Sequence, residues 1–146
     1  MPVSSQFEIE PLILQVINSL ALAGLKTVSD ETIMAGVNNP SKLLPAVILF
    51  SGDGQYSQGV DGSVQTETQF WQISVMVKHV NNTATQTTAS EAGSFMTPIL
   101  NALVGNQINA NFAPLEIVER PVANYSEGFA EFPVILKTSF DVGAGA

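Results

Sequence analysis

The chain has 146 residues, with 13 acidic against 5 basic side chains, a net charge of −8 and no cysteine. That inventory excludes disulfides and thiolate metal sites, and the absence of any Lys or Arg cluster argues against specific nucleic acid binding. Charged residues make up only 12% of the chain, where an ordinary domain carries about 25%.

Ser, Thr, Asn and Gln together number 42, so much of the exterior must be neutral polar surface. Such surface loses less free energy on desolvation than a charged one, which suits a chain covered by other chains. A monomer with a bland surface fits the same composition. The length fits one domain spanning residues 1–146. The opening "MPVSSQFEIEP" has no basic residue before an apolar core and does not read as a secretory signal. The longest wholly apolar runs, such as Ala46 to Phe50, fall far short of the roughly 20 residues a membrane span needs. A soluble protein with no membrane partner is expected.

In chain order, Leu12, Ile13, Val16, Ile17 and Leu20 recur at spacings of three and four, which predicts a helix from Pro11 to Leu22. Pro11 suits the first helical position, Glu8 and Glu10 sit near the positive end of the dipole, and Gly24 supplies a stop. "LKTVS", residues 25–29, is a short strand, and Ser29, Asp30 and Glu31 open a one- or two-turn helix carrying Ile33 and Met34. A turn-rich linker follows at 38–41. "PAVILF", residues 45–50, is an apolar strand covered on both faces. A long strand ending near Val80 places Trp71, Ile73, Val75 and Val77 on one face, with Met76 as the exception.

"NNTATQTT", residues 81–88, is a loop. Thr88 and Glu91 have capping-box spacing, which starts a second helix burying Ala92, Phe95, Met96, Ile99, Leu100 and Leu103. Pro98 should kink or divide that helix, and Gly105 and Asn106 should end it. "PLEIVER", residues 114–120, and "FAEFPVILKTSFDV", residues 129–142, are strands. The second places Phe132, Val134, Leu136 and Phe140 on one face, and Pro133 marks an edge or a bulge. The expected fold is α+β, a mostly antiparallel β-sheet with two main helices packed on a face.

Between the apolar strand and the long strand lies "SGDGQYSQGVDG", residues 51–62. Its glycines match neither dinucleotide nor P-loop spacing, and a strand rather than a helix follows, so it is no phosphate cradle. Asp53 and Asp61 have no acidic residue between them, unlike a calcium loop. A hairpin loop is the plain reading.

Catalytic parts are scarce. His79 is the only histidine, beside Lys78 at the polar end of a strand, and reads as an exposed or interface side chain rather than a general base. Glu116, Glu119, Glu127 and Glu131 lie at strand ends like solvated charges, with no sign of the cleft that a paired-carboxylate site needs. Trp71 reads as core rather than as a ligand platform. Arg120, the only arginine, fits an interface anchor and a solvated surface role equally well. No enzyme, cofactor or metal is expected.

Several segments together resemble the tail terminator proteins of long-tailed bacteriophages. They are "FEIEPLILQVI" (7–17), "GLKTVS" (24–29), "PAVILFSGDGQ" (45–55), "TETQFWQISVMVKHV" (66–80), "EAGSFMTPILNALVGN" (91–106) and "RPVANYSEGFAEFPVILKTSF" (120–140). The last is the most telling, with a proline turn, Tyr125, Gly128, Phe129 and a closing strand. The glycine loop is longer than the family pattern.

The resemblance implies a homohexameric ring, placed in the virion at the head-proximal end of the tail and assembled in the host cytoplasm. It implies tail tube protein and a head–tail connector or neck protein as partners, with DNA passing through the ring unbound. Candidate interface residues are then Asp53, Gly54, Gln55, Tyr56 and Asp61 in the glycine loop, His79, Asn81 and Asn82 around the second loop, and Arg120, Tyr125 and Glu127 near the last turn. The loops at 52–62 and 81–88 are expected to be mobile in the free subunit and ordered on assembly. A neck or tail tube subunit of the same particle is the alternative, and a small-ligand-binding or enzymatic α+β domain is the alternative of another class.

Overall fold

The computed structural model describes residues 3–57, 63–79, 87–126 and 128–146. Six strands form one sheet: β1 (Thr27–Asp30), β2 (Ala46–Tyr56), β3 (Gln65–Lys78), β4 (Glu116–Glu119), β5 (Asn124–Ser126) and β6 (Phe129–Val142). Their order is β1-β2-β3-β6-β4, and β5 also pairs with β6. Only β1 and β2 are parallel; the other pairs are antiparallel. Helices α1 (Ile9–Ser19) and α2 (Thr88–Leu103) complete the α+β architecture expected.

Inward positions alternate along the central strands. Trp71, Ile73, Val75 and Val77 of β3 stand opposite Leu136, Val134, Phe132 and Ala130 of β6. Ile9, Ile13 and Ile17 of α1, with Ala92, Phe95, Ile99 and Leu103 of α2, close over that face. Met76, the outlier of the alternation, points to the opposite face, where it packs with Leu44, Ala46 and Ile48 under Ile33 and Met34 of a 3₁₀ turn at Glu31–Met34. That turn lies on the connection between the parallel β1 and β2 and caps the back of the sheet at that end. Asp30 starts it, its Oδ1 accepting from the Thr32 N–H at 3.0 Å.

Helix ends differ from expectation in instructive ways. α1 begins at Ile9, so Pro11 is the third helical residue, still among those whose N–H has no intrahelical partner. It also ends earlier, at Ser19, with Ala21 in the left-handed region (φ 49°) ahead of Gly24 (φ 84°). The cap of α2 is Thr87, one residue before the expected Thr88. Its side chain accepts from the Ser90 N–H at 3.0 Å while Ser90 Oγ accepts from the Thr87 N–H at 2.9 Å, so Ser90 takes the part assigned to Glu91. Pro98 neither divides nor ends α2, whose buried face continues through Ile99 and Leu103.

Pro133 is in a central strand, opposite Ser74 of β3, and not at the sheet's edge. On its other side β6 changes partner, pairing with β5 through residues 129–131 and with β4 through 135–137. The proline occupies the gap, a local edge inside the sheet, where its missing donor breaks no pairing on that side.

Glu10 lies in the first turn of α1, which favours a carboxylate. Partial burial first, and then the nearby Asp30 and Glu31 carboxylates, raise its pKa above the ordinary 4.5. A carboxyl raised in the folded state contributes stability at low pH that is lost as pH rises through its folded value. Glu10→Gln is therefore expected to raise the stability at pH 7, by about 0.5 kcal/mol or less after solvent screening, and the melting temperature with it. The gain should vanish when the pH falls below 4.5; thermal melts at the two pH values check this.

Candidate assembly surface

The candidate residues separate into groups that lie far apart. Asp53, Gly54, Gln55 and Tyr56 belong to β2 itself, which runs to Tyr56, so the glycine stretch begins inside a strand and not in a loop. All four are exposed. β1 accompanies β2 only as far as Leu49, which leaves the outer half of β2 as a sheet edge. A register irregularity lies between Ser51 and Gly54.

His79 lies just past the other end of β3, roughly 40 Å from Tyr56 by strand rise. Its ring stacks edge-on against Tyr125, with centroids 5.3 Å apart, and Nδ1 is 3.3 Å from the Thr88 hydroxyl. Tyr125 in turn meets Phe132 edge-on at 5.9 Å. His79 and Tyr125 thus form one cluster that ties β3, β5 and β6 together. Arg120 is exposed on the strip between β4 and β5. Asp61, Asn81, Asn82 and Glu127, and with them residues 58–62 and 81–86 of the two loops expected to order on assembly, lie outside the described residues.

Exposed apolar side chains gather on both margins of the sheet. On the β4 margin Ile117, Val118, Val122 and Tyr125 are exposed, Val122 to 86%. On the β2 margin Phe7 and Tyr56 are exposed. Edge strands with apolar side chains are normally blunted or covered. Between α2 and the strip at 120–123 runs a groove of about 290 Å³, floored by Phe132, Pro133 and Val134. A second cavity, of about 200 Å³, lies between Gln6, Phe7 and the outer half of β2.

A chain of hydrogen bonds lines that second cavity. Trp71 Nε1 donates to Gln69 Oε1 at 3.1 Å, Gln69 Nε2 donates to Glu67 Oε2 at 2.6 Å, and Gln6 Nε2 donates to Glu67 Oε1 at 2.5 Å. Gln69 Nε2 also reaches the Gln6 carbonyl at 2.7 Å, and Gln6 Nε2 the Tyr56 hydroxyl at 3.2 Å. Hydrogen bonding to Glu67 first, then partial desolvation and the carboxylate's charge, raise the Tyr56 phenol above its ordinary value, with Gln6 opposing. Among the described residues no group of three His, Asp or Glu side chains comes together as metal ligands.

A family model described as "Phage tail terminator protein" matches residues 7–145. This chain belongs to the phage tail terminator family. It is a structural protein of the tail and a component of the virion. Among solved structures it is similar to a chain of the "Virion of native gene transfer agent (GTA) particle", with a TM-score of 0.55 and 15% identity, over 94% of this chain and 100% of that one. At that identity the likeness concerns the fold. No curated protein sequence matches it.

For this terminator chain, the residues that sequence reasoning missed are Gln6, Glu67 and Gln69. Their signal was present: 67 and 69 continue the inward series 71, 73, 75 and 77, so both side chains had to enter the interior and find partners there. Glu67 and Gln69 are 2% and 4% exposed. A second miss is β5, which the terminator uses to hold its last turn against β6.

Proposed function

We infer that this chain forms a hexameric ring that caps the tail tube, ends its polymerisation and offers the surface to which the head is joined. Tail tube protein is its partner on one side of the ring and a connector or neck protein on the other. The observation that carries the reading is the pair of dissimilar sheet margins, each with exposed apolar side chains, in a member of the terminator family. A contact joining two different patches of identical chains closes into a ring when the rotation between copies closes. The whole chain acts as one unit, by shape and without catalysis. Its net charge of −8 suits a duct through which DNA passes unbound.

Electron micrographs of particles assembled without this chain test the reading. Overlong tails lacking heads are the expected result. Tails of normal length with heads attached would refute it, and stacked rings formed by the purified chain would favour a tube subunit instead.

A further inference from the structure

Glu67 is an unusual group. The residue is 2% exposed, yet the groups that hydrogen-bond its carboxylate, the Gln6 and Gln69 amides and the Tyr56 phenol, are all neutral. Buried carboxylates are ordinarily matched by a cation. Among the described residues the one ion pair is elsewhere, Lys137 Nζ to Glu116 Oε2 at 3.7 Å. Glu67 lines the cavity of about 200 Å³, with Asp53 at the same cavity and no Lys or Arg in its walls. The cavity borders the stretch of β2 that pairs with β3 on one side and that β1 does not reach on the other.

We propose that this cavity receives the Arg120 guanidinium of a neighbouring copy of the chain. The proposal rests on the ring reading and assigns its contact. In a head-to-tail ring the β2 margin of one copy faces the β4 margin of the next, so the cation must come from the β4 margin. Two basic residues lie there, Lys137 and Arg120, and Lys137 is already paired with Glu116. Arg120 is exposed, enters no ion pair with a described residue, and stands beside the exposed Val118 and Val122, which would cover the contact from water. Its planar fork of donors matches acceptors on Glu67 and Asp53 together, which a point-charge ammonium does less well.

Three variants of the full chain test the assignment by native mass spectrometry, with circular dichroism melts to verify folding. Arg120→Ala keeps the cavity and loses the guest; Asp53→Arg keeps the guest and blocks the cavity; both positions are exposed. Wild type is expected to form rings, and each variant alone to remain monomeric with an unchanged melt. Their equimolar mixture should give a one-to-one dimer and nothing larger, because one intact contact is left. Glu67→Gln, which keeps the shape, should raise the dissociation constant per contact by roughly thirtyfold or more.

Rings formed by Arg120→Ala at wild-type concentrations, or a mixture without dimers, would overturn the assignment while leaving the ring reading intact. A wild-type chain that never assembles would remove both. Calcium alone raising the wild-type melting temperature, with the rise lost in Asp53→Arg, would assign the cavity to a divalent cation and overturn the proposal as well.

Discussion

Trp71→Ala is expected to lower the free energy of unfolding by about 3–5 kcal/mol. The indole is 1% exposed, stands opposite Leu136 of β6, and meets the Phe7 ring edge-on at 6.3 Å. Truncation would open a void in the layer where α1 meets the sheet. Set against the roughly 5–15 kcal/mol that holds a domain folded, the loss is large. Trp71→Phe separates packing from hydrogen bonding. It keeps an aromatic ring in the site but removes the donor to Gln69 Oε1, leaving that oxygen without its indole partner. A cost of about 1–3 kcal/mol is expected for that change. Urea titrations of the three proteins measure both terms. An unchanged midpoint for Trp71→Phe would show that the chain of amides from Gln6 to Trp71 adds nothing to stability.

Gly52→Ala should cost about 1–3 kcal/mol through overpacking, although the residue is exposed. A Cβ at Gly52 would lie 2.8 Å from the Phe70 carbonyl oxygen and 3.4 Å from Phe70 C and Cβ, and the nearest obstacle is backbone. Either β2 and β3 separate locally or the register irregularity between Ser51 and Gly54 rearranges. Gly54 is the control: a Cβ there meets Thr68 O at an ordinary 3.5 Å. Gly54→Ala is expected to be neutral or slightly stabilising, by about 0.4–1 kcal/mol, because it restricts the unfolded chain. Thermal melts of the pair decide the matter, and equal losses would mean that the close approach to Phe70 has no part in the effect. Gly52 also lines the cavity proposed for Arg120, so its substitution should weaken assembly beyond any effect on folding.

Where side chains alternate by type, the sequence was readable. β6 occupies residues 129–142 as expected, because Phe132, Val134, Leu136 and Phe140 mark one face and glycines at 128 and 143 close both ends. α2 was visible from its inward apolar positions, and its start erred by one residue because Thr87 and Thr88 are the same type of cap. The outer half of β2 was hidden for the opposite reason. Gly52 and Gly54 have no side chains to display alternation, so strand residues looked like loop. β5, with three residues, is too short to show a period.

Glu67 and Gln69 illustrate a different failure. Local pattern treats polar residues as outward, and only the continuation of register from Trp71 reveals that these two enter the core. Among the candidate site residues, His79 and Tyr125 share a cluster and the four on β2 share a margin, but the two groups occupy opposite ends of the sheet. Spacing along the chain contains no such distance.

The strip from Arg120 to Ala123 leaves the sheet at β4 and rejoins it at β5, and both anchors grip the same partner, β6. It therefore behaves as a handle fixed at two points rather than as a tether with a loose end. Only four residues bow outward between the anchors, so little conformational freedom remains to be surrendered when another molecule takes hold of it. A rigid handle of this kind favours contacts that form in one orientation, as the closing of a ring with a fixed number of members demands.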